Sequence, residues 1–167
     1  MEAYFLVDAD EALKKGRQLI LRYLTYRARS NKEALNYLQK KGFSEDVIVK
    51  LIHEMTEYGY LNDHKFTEDF INYRKSQGYG PKRVRYELGQ KGIEKNLINR
   101  KLEEHFSPDE DLARIEKILE RRNISSKKAG INKDRFFRRE AAFLQRRGFQ
   151  DHLILEALKK IFRIDEQ

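Results

Sequence analysis

The sequence predicts an all-α protein made of three tandem three-helix, helix-turn-helix-like repeats in an elongated array. Three observations carry this. A basic residue, a Gly and a large apolar residue recur at Lys41-Gly42-Phe43, Lys91-Gly92-Ile93 and Arg147-Gly148-Phe149. Apolar residues keep matching offsets from each Gly: Leu38, Leu88 and Leu144 before it, then Val47, Leu97 and Leu153, Ile48, Ile98 and Ile154, and Ile52, Leu102 and Leu158 after it. Only two prolines occur in 167 residues, which leaves long stretches free to be helical.

The elements follow in order. Residues 4–7 are apolar and read as a short extended segment within an N-terminal arm, 1–9. Residues 10–28 carry Leu13, Ile20, Tyr23 and Leu24 at helical spacing. Ser30-Asn31-Lys32-Glu33 is a capping box that opens a second helix, with Ala34, Leu35 and Leu38 on its buried face. Gly42 stops that helix, because Gly accepts the left-handed conformation of a C-terminal cap and Lys41 complements the negative helix end. Val47, Ile48, Leu51, Ile52 and Met55 mark a third helix and complete the first repeat, 10–58.

In the second repeat, 59–106, Phe66, Phe70 and Tyr73 mark a helix over 63–76. Gly78-Tyr79-Gly80-Pro81 is a connector, and Gly92 is the helix stop. The third repeat, 107–167, opens at Ser107-Pro108-Asp109-Glu110, with Pro at the first helical position and acids in the first turn. Leu112, Ile115 and Leu119 lie on one face, residues 124–132 form a polar connector, and Leu153, Ile154, Ala157, Leu158 and Ile161 form the last stripe.

Composition narrows the function. Charged residues make up 37% and the mean hydropathy is −0.83, which suits an array with much surface per residue. No cysteine is present, so disulfide and thiolate chemistry is excluded. The apolar run at 4–7 is too short for a signal-peptide core or a membrane span, so a soluble cytoplasmic protein is expected.

The net charge is +8, and it is unevenly spread. Residues 14–32 hold seven cations and no acid. Residues 74–91 sum to +5 and residues 121–147 to +8, whereas 44–69 sum to −5 and 94–120 to −3. The sign thus alternates with the repeat. One reading is a basic track, recurring once per repeat, that meets a polyanion or an acidic filament. The other is that basic and acidic helices neutralise each other inside the array, as weak surface pairs.

Catalytic motifs are absent. There is no phosphate-binding loop of the Gly-x-x-x-x-Gly-Lys type, and Gly78-Tyr79-Gly80 lacks a third glycine. His53, His64, His105 and His152 are scattered, so no metal site is expected. Asp109 and Asp111 are explained by capping. Tyr23, Tyr26, Tyr73, Tyr79, Tyr86 and Phe136-Phe137 interleave with cations, a mixture that can stack on bases. At helical spacing most of them read as core, with Tyr79 the best candidate for exposure.

The run Gly59-Tyr60-Leu61-Asn62-Asp63, then Phe66, Phe70, Arg74, Gly80-Pro81, Glu87-Leu88 and Lys91-Gly92-Ile93, resembles the central signature of the RecX family. So does Tyr26-Arg27-Ala28-Arg29-Ser30 followed by Leu38 and Lys41-Gly42-Phe43. The resemblance covers residues 10–106; residues 107–163 match mainly in repeat pattern. It implies a curved array that binds the groove of the RecA–DNA filament. It further implies inhibition of RecA's ATPase and strand exchange, a place in DNA repair, recombination and the SOS response, and contact with single- or double-stranded DNA. The short N-terminal extension and the 124–132 connector depart from the family pattern.

By resemblance, Gly42, Tyr60, Asp63, Phe66, Gly80, Pro81, Leu88, Gly92 and Gly148 are structural, with Tyr60, Phe66, Leu88 and Ile93 fixing one repeat against the next. Arg27, Arg29, Arg74, Lys82, Arg83 and Lys91 are candidate contacts to filament or DNA, and Arg135, Arg138 and Arg139 follow from the charge of the third repeat. Arg74 has the alternative of an ion pair with a neighbouring helix. The expected protein is a monomeric regulator without cofactor, metal or membrane contact. A DNA-binding protein acting without RecA is the alternative, and an enzyme with an unrecognised site is a third.

Overall fold

The computed structural model describes residues 2–122 and 133–164, so the connector read at 124–132 lies outside the described residues. The described residues form α1 (Glu2–Thr25), α2 (Asn31–Lys40), α3 (Glu45–Glu57), α4 (Asp63–Ser76), α5 (Pro81–Gln90), α6 (Lys95–His105), α7 (Pro108–Arg121), α8 (Lys133–Arg147) and α9 (Asp151–Ile164). Among them there is no strand, in keeping with the all-α expectation.

Residues 4–7 belong to α1 and are not extended. An isolated extended segment would leave its backbone N–H and C=O groups without a ladder partner, whereas a helix pairs them internally.

Local signals set the helix ends. The Ser30 side chain accepts from the Glu33 N–H while the Glu33 carboxylate accepts from the Ser30 N–H, the reciprocal capping box. The Ser107 side chain accepts from the Glu110 N–H at the start of α7, with Pro108 at its first turn. At Gly42, Gly92 and Gly148 the chain takes φ values of +83°, +76° and +87°. Phe43 N–H then reaches back to the Leu38 carbonyl, and Phe149 N–H to that of Leu144, closing the helix ends.

The chain forms two compact units. The first comprises Met1–Glu68 with Gly89–Glu94, and the second Asp69–Leu88 with Lys95–Gln167. In the first, Ile20 of α1, Ala34 and Leu38 of α2, Val47, Ile48, Leu51 and Met55 of α3, and Leu61 form one core. In the second, Ile115 and Leu119 of α7, Leu144 of α8, and Phe149, Leu153, Ile154, Ala157 and Leu158 form another. Ile71, Val84, Leu88, Leu97, Ile98 and Leu102 are also buried. Burying side chains of this size supplies about 1.5–3 kcal/mol each, the main force holding each unit.

The helix N-termini have unusual neighbours. Ser30 Oγ donates to the Lys91 carbonyl at 2.7 Å, and Asn31 N–H donates to Asp63 Oδ1 at 2.9 Å. In the second unit, Gly80 N–H donates to the Arg147 carbonyl at 2.8 Å and Lys82 N–H to the Gly148 carbonyl at 3.0 Å. The starts of α2 and α5 thus each sit on a later basic–Gly turn. Donors at a positive helix end meet carbonyls at a negative one. The approach is tight: a Cβ on Gly92 would fall 2.6 Å from the Lys32 Cβ, and one on Gly148 would fall 2.2 Å from the Arg83 nitrogen.

Candidate partner-binding surface

The nine candidate cations divide by what holds them. Arg27, in the turn before α2, and Lys91, after α5, close on one carboxylate: Arg27 Nη2 lies 2.8 Å and Lys91 Nζ 3.1 Å from Glu33 Oε1. Burial by itself would raise the Glu33 carboxyl. The hydrogen bonds from Arg27, Lys91 and the Ser30 N–H win, and hold it down to about 2. Arg29 stands over the Tyr23 ring at 4.1 Å, and Tyr23 stacks on Tyr37.

A second carboxylate repeats the pattern. Glu87 of α5 receives Arg83 Nε in a 2.7 Å hydrogen bond. Arg74 Nε lies 2.7 Å from its other oxygen, an ion contact whose angle does not make a hydrogen bond. The Arg74 guanidinium also faces the rings of Phe70, Tyr73 and Tyr79. Lys82 pairs with Asp151 at 2.7 Å and holds that carboxyl below its ordinary range.

A third such carboxylate is Glu140 of α8, fully buried between Arg122 Nε and Arg139 Nε, each at 2.8 Å. Burial pushes it up, but the two guanidiniums prevail and keep it below the usual carboxylate range. Arg135 and Arg138 are exposed on the same helix, and Arg138 Nε makes a 3.3 Å contact to the Asp134 carbonyl.

Arg27, Arg74, Lys82, Arg83, Lys91 and Arg139 are thus paired, but with carboxylates outside the acidic stretches 44–69 and 94–120; pairing between a basic and an acidic stretch is made instead by Arg17 with Glu54 and Lys75 with Glu110. Glu33, Glu87, Glu140 and Asp151 are not among the sequence-predicted site residues. They had a signal: Glu87 is the only acid in 74–91, and Asp134 and Glu140 are the only two in 121–147. A lone carboxylate inside a cationic run is a natural clamp. Asp111 lies in the first turn of α7, as expected, and has a further partner. It is buried and pairs with Arg114 Nη1 at 2.7 Å, while Arg114 Nη2 donates to the Lys75 and Tyr79 carbonyls. Burial raises the Asp111 carboxyl despite Arg114 beside it.

The structural signature residues fall in several places. Phe66, Pro81 and Leu88 are buried, Asp63 accepts from Asn31, and Gly92 and Gly148 lie under helix starts. Gly80 has the Gly148 backbone against it. Tyr60 departs from its expected role: it is 58% exposed, and its neighbour Leu61 enters the core instead. Tyr79 is half-buried between Arg74 and Arg147. Among the described residues, the tyrosines in the open are Tyr26, Tyr58, Tyr60, Tyr73 and Tyr86.

Among the described residues, no group of His, Asp and Glu could hold a metal ion, and no helix is long and apolar enough to cross a membrane.

Comparison with known proteins places this arrangement. The profile of the RecX first three-helix domain matches residues 17–55, and that of the RecX second three-helix domain matches 62–102. The regulatory protein RecX of Bacillus pumilus (strain SAFR-032) is 34% identical over 162 residues, which are 96% of this chain and 60% of that protein. The regulatory protein RecX of Chlorobium phaeobacteroides (strain BS1) is 33% identical over 95% of this chain and 99% of its own length. The chain thus spans about three-fifths of the Bacillus relative and nearly all of the Chlorobium one. The crystal structure of RecX from Lactobacillus salivarius has the same fold, with a TM-score of 0.79 at 20% identity over 91% of this chain and 97% of that one. With two domain profiles matched in order and a relative aligned from end to end, the chain belongs to the RecX family of regulatory proteins.

Proposed function

We propose that this chain binds the RecA–DNA filament and inhibits RecA's ATPase, strand exchange and filament growth, acting as a monomeric cytoplasmic regulator and not as an enzyme. Family membership supports the regulatory role. The observation that carries the surface is the set of cations gathered at Glu33, Glu87 and Glu140 on α2, α5 and α8. Three helical repeats, 10–58, 59–106 and 107–167, would each present one such group. Ion pairs at exposed positions are weak, so Lys82 can exchange exposed Asp151 for a phosphate or an acidic side chain at little cost, whereas Arg27, Arg74, Arg83, Lys91 and Arg139 would meet such a group while keeping their largely buried carboxylates. Arg29, Arg135 and Arg138 complete the surface.

The mechanism is steric and competitive. A helical body seated in the filament groove occupies the space of a second DNA strand and hinders the subunit movements coupled to ATP turnover. The test is RecA's DNA-dependent ATPase with this chain at stoichiometric amounts. Inhibition is expected, and an unchanged rate rejects the reading.

One observation favours DNA contact by the chain itself: Arg135, Arg138 and Arg146 are exposed together on α8. Duplex and single-stranded DNA titrated across salt concentrations should show affinity falling steeply with salt. An affinity indifferent to salt rules this reading out.

A further inference from the structure

The basic–Gly turns at 91–92 and 147–148 are seats for helix starts. The first holds α2 through Ser30 and the second holds α5 through Gly80 and Lys82. The turn at 41–42 has the same backbone: positive φ at Gly42, Gly42 N–H to the Gln39 carbonyl, and Phe43 N–H to that of Leu38. Yet a Cβ placed on Gly42 would meet nothing within 4 Å. The residue after the glycine agrees. Ile93 is 5% exposed and Phe149 0%, whereas Phe43 is only half-buried. Beside this turn lies an open groove of about 920 Å³, lined by Ala9, Ala12, Lys15, Leu19, Phe43 and Val47.

The geometry points to the Lys41–Gly42 turn as a third seat, filled by the first turn of α8 from a second copy of this chain. Order fixes the occupant. α2 sits on the second basic–Gly turn and α5 on the third, so each second helix of a triplet docks one triplet onward. α8 is the next helix in that series, and the turn left open is the first one of another copy. Charge agrees as well. Glu33 in the first turn of α2 reaches Lys91 of its seat. Asp134, exposed in the first turn of α8, would face Lys41, and the groove lining carries Lys15 as a second cation against one acid, Glu11.

Such a contact joins two different surfaces, so it propagates into a row and does not close a symmetric pair. One helix turn in one groove buries far less than the roughly 1,200 Å² of a stable interface. Copies therefore stay apart when free and line up where a shared polymer raises their effective concentration. The row rests on the reading above, in which that polymer is the RecA–DNA filament.

The chain has no cysteine of its own, which makes the test clean. One preparation carries Lys41→Cys and another Asp134→Cys. The two are mixed in equal amounts on RecA–DNA filaments, pelleted and oxidised mildly. The expected product is a several-fold excess of the mixed dimer over either homodimer. Adding Gly42→Arg to the Lys41→Cys chain should abolish the excess. Gly42→Ala should lower it as well, because a methyl group there would meet the docked helix start as one on Gly148 meets the start of α5, whereas Gly59→Ala, with the same left-handed strain outside the groove, should preserve it. If the chain pellets with filaments but mixed dimers appear only in the random ratio, this inference fails and the regulatory reading stands. If the chain does not pellet, the filament reading fails and the row fails with it.

Discussion

Ser30 and Lys91, separated by 61 positions in sequence, are joined by a 2.7 Å hydrogen bond from a fully buried hydroxyl to a backbone carbonyl. The same hydroxyl accepts from the Glu33 N–H. It therefore caps a helix and fastens a distant turn at once. Ser30→Ala leaves both groups without this partner, and a loss of about 1–3 kcal/mol is expected from the missing cap and the stranded carbonyl. The urea midpoint measures it. A change near zero would mean that the turn at 91–92 contributes nothing to the first unit.

Glu33 makes stability depend on acid. Its carboxyl is held at about 2 in the folded chain, against an ordinary value of 4.5. The unfolded chain binds the proton more readily, so the stabilisation is complete above about pH 5 and is lost as pH falls towards 2. Its size is on the order of 2 kcal/mol, allowing for solvent screening. Glu33→Gln should flatten the stability curve between these limits. A variant whose curve parallels the parent would refute the assignment.

Gly148 and Gly42 share a backbone conformation and differ in what surrounds them. Gly42→Ala should cost only the strain of a left-handed Ala, about 1 kcal/mol. Gly148→Ala drives a methyl group into the start of α5 at Arg83, and should cost about 3 kcal/mol in all. Thermal or denaturant unfolding of the two variants gives the comparison directly. Equal losses would show that the close approach relaxes freely.

Charge reversal on α8 separates binding from folding. Arg135→Glu and Arg138→Glu change exposed cations, so binding to filament or DNA should weaken and its salt dependence should shrink by roughly one unit of slope per lost phosphate contact. Arg139→Glu instead puts a second carboxylate beside buried Glu140, and should lower stability as well. Full binding by the first two variants, measured across salt concentrations, would remove α8 from the contact surface.

Much of the fold was legible in the sequence because its signals are local. The Ser30 box, the Ser107-Pro108 start and the three basic–Gly–apolar stops all act within one helix turn. What was illegible depends on distant partners. Nothing near Gly92 or Gly148 in sequence shows that a helix start lies against it, or that Gly42 lacks one. Asp111 reads as an ordinary first-turn acid until Arg114, one turn on, folds over it. Leu61 and not Tyr60 turns inward, because the loop before α4 has no helical period to decide which residue does. For the partner surface, the cations were plain, but the carboxylates gathering them were hidden by counting net charge over segments.

The seat under α2 also fixes an order of events during synthesis. The chain emerges from its N-terminus, and Ser30 must wait for Lys91 before its hydroxyl finds the carbonyl it finally holds. Gly80 waits in the same way for Arg147. Each helix start is finished only when a later stretch has left the ribosome. The nascent protein is thus fastened behind the point of growth, one stitch at a time, and a message truncated before residue 91 would yield helices whose first seam never closes.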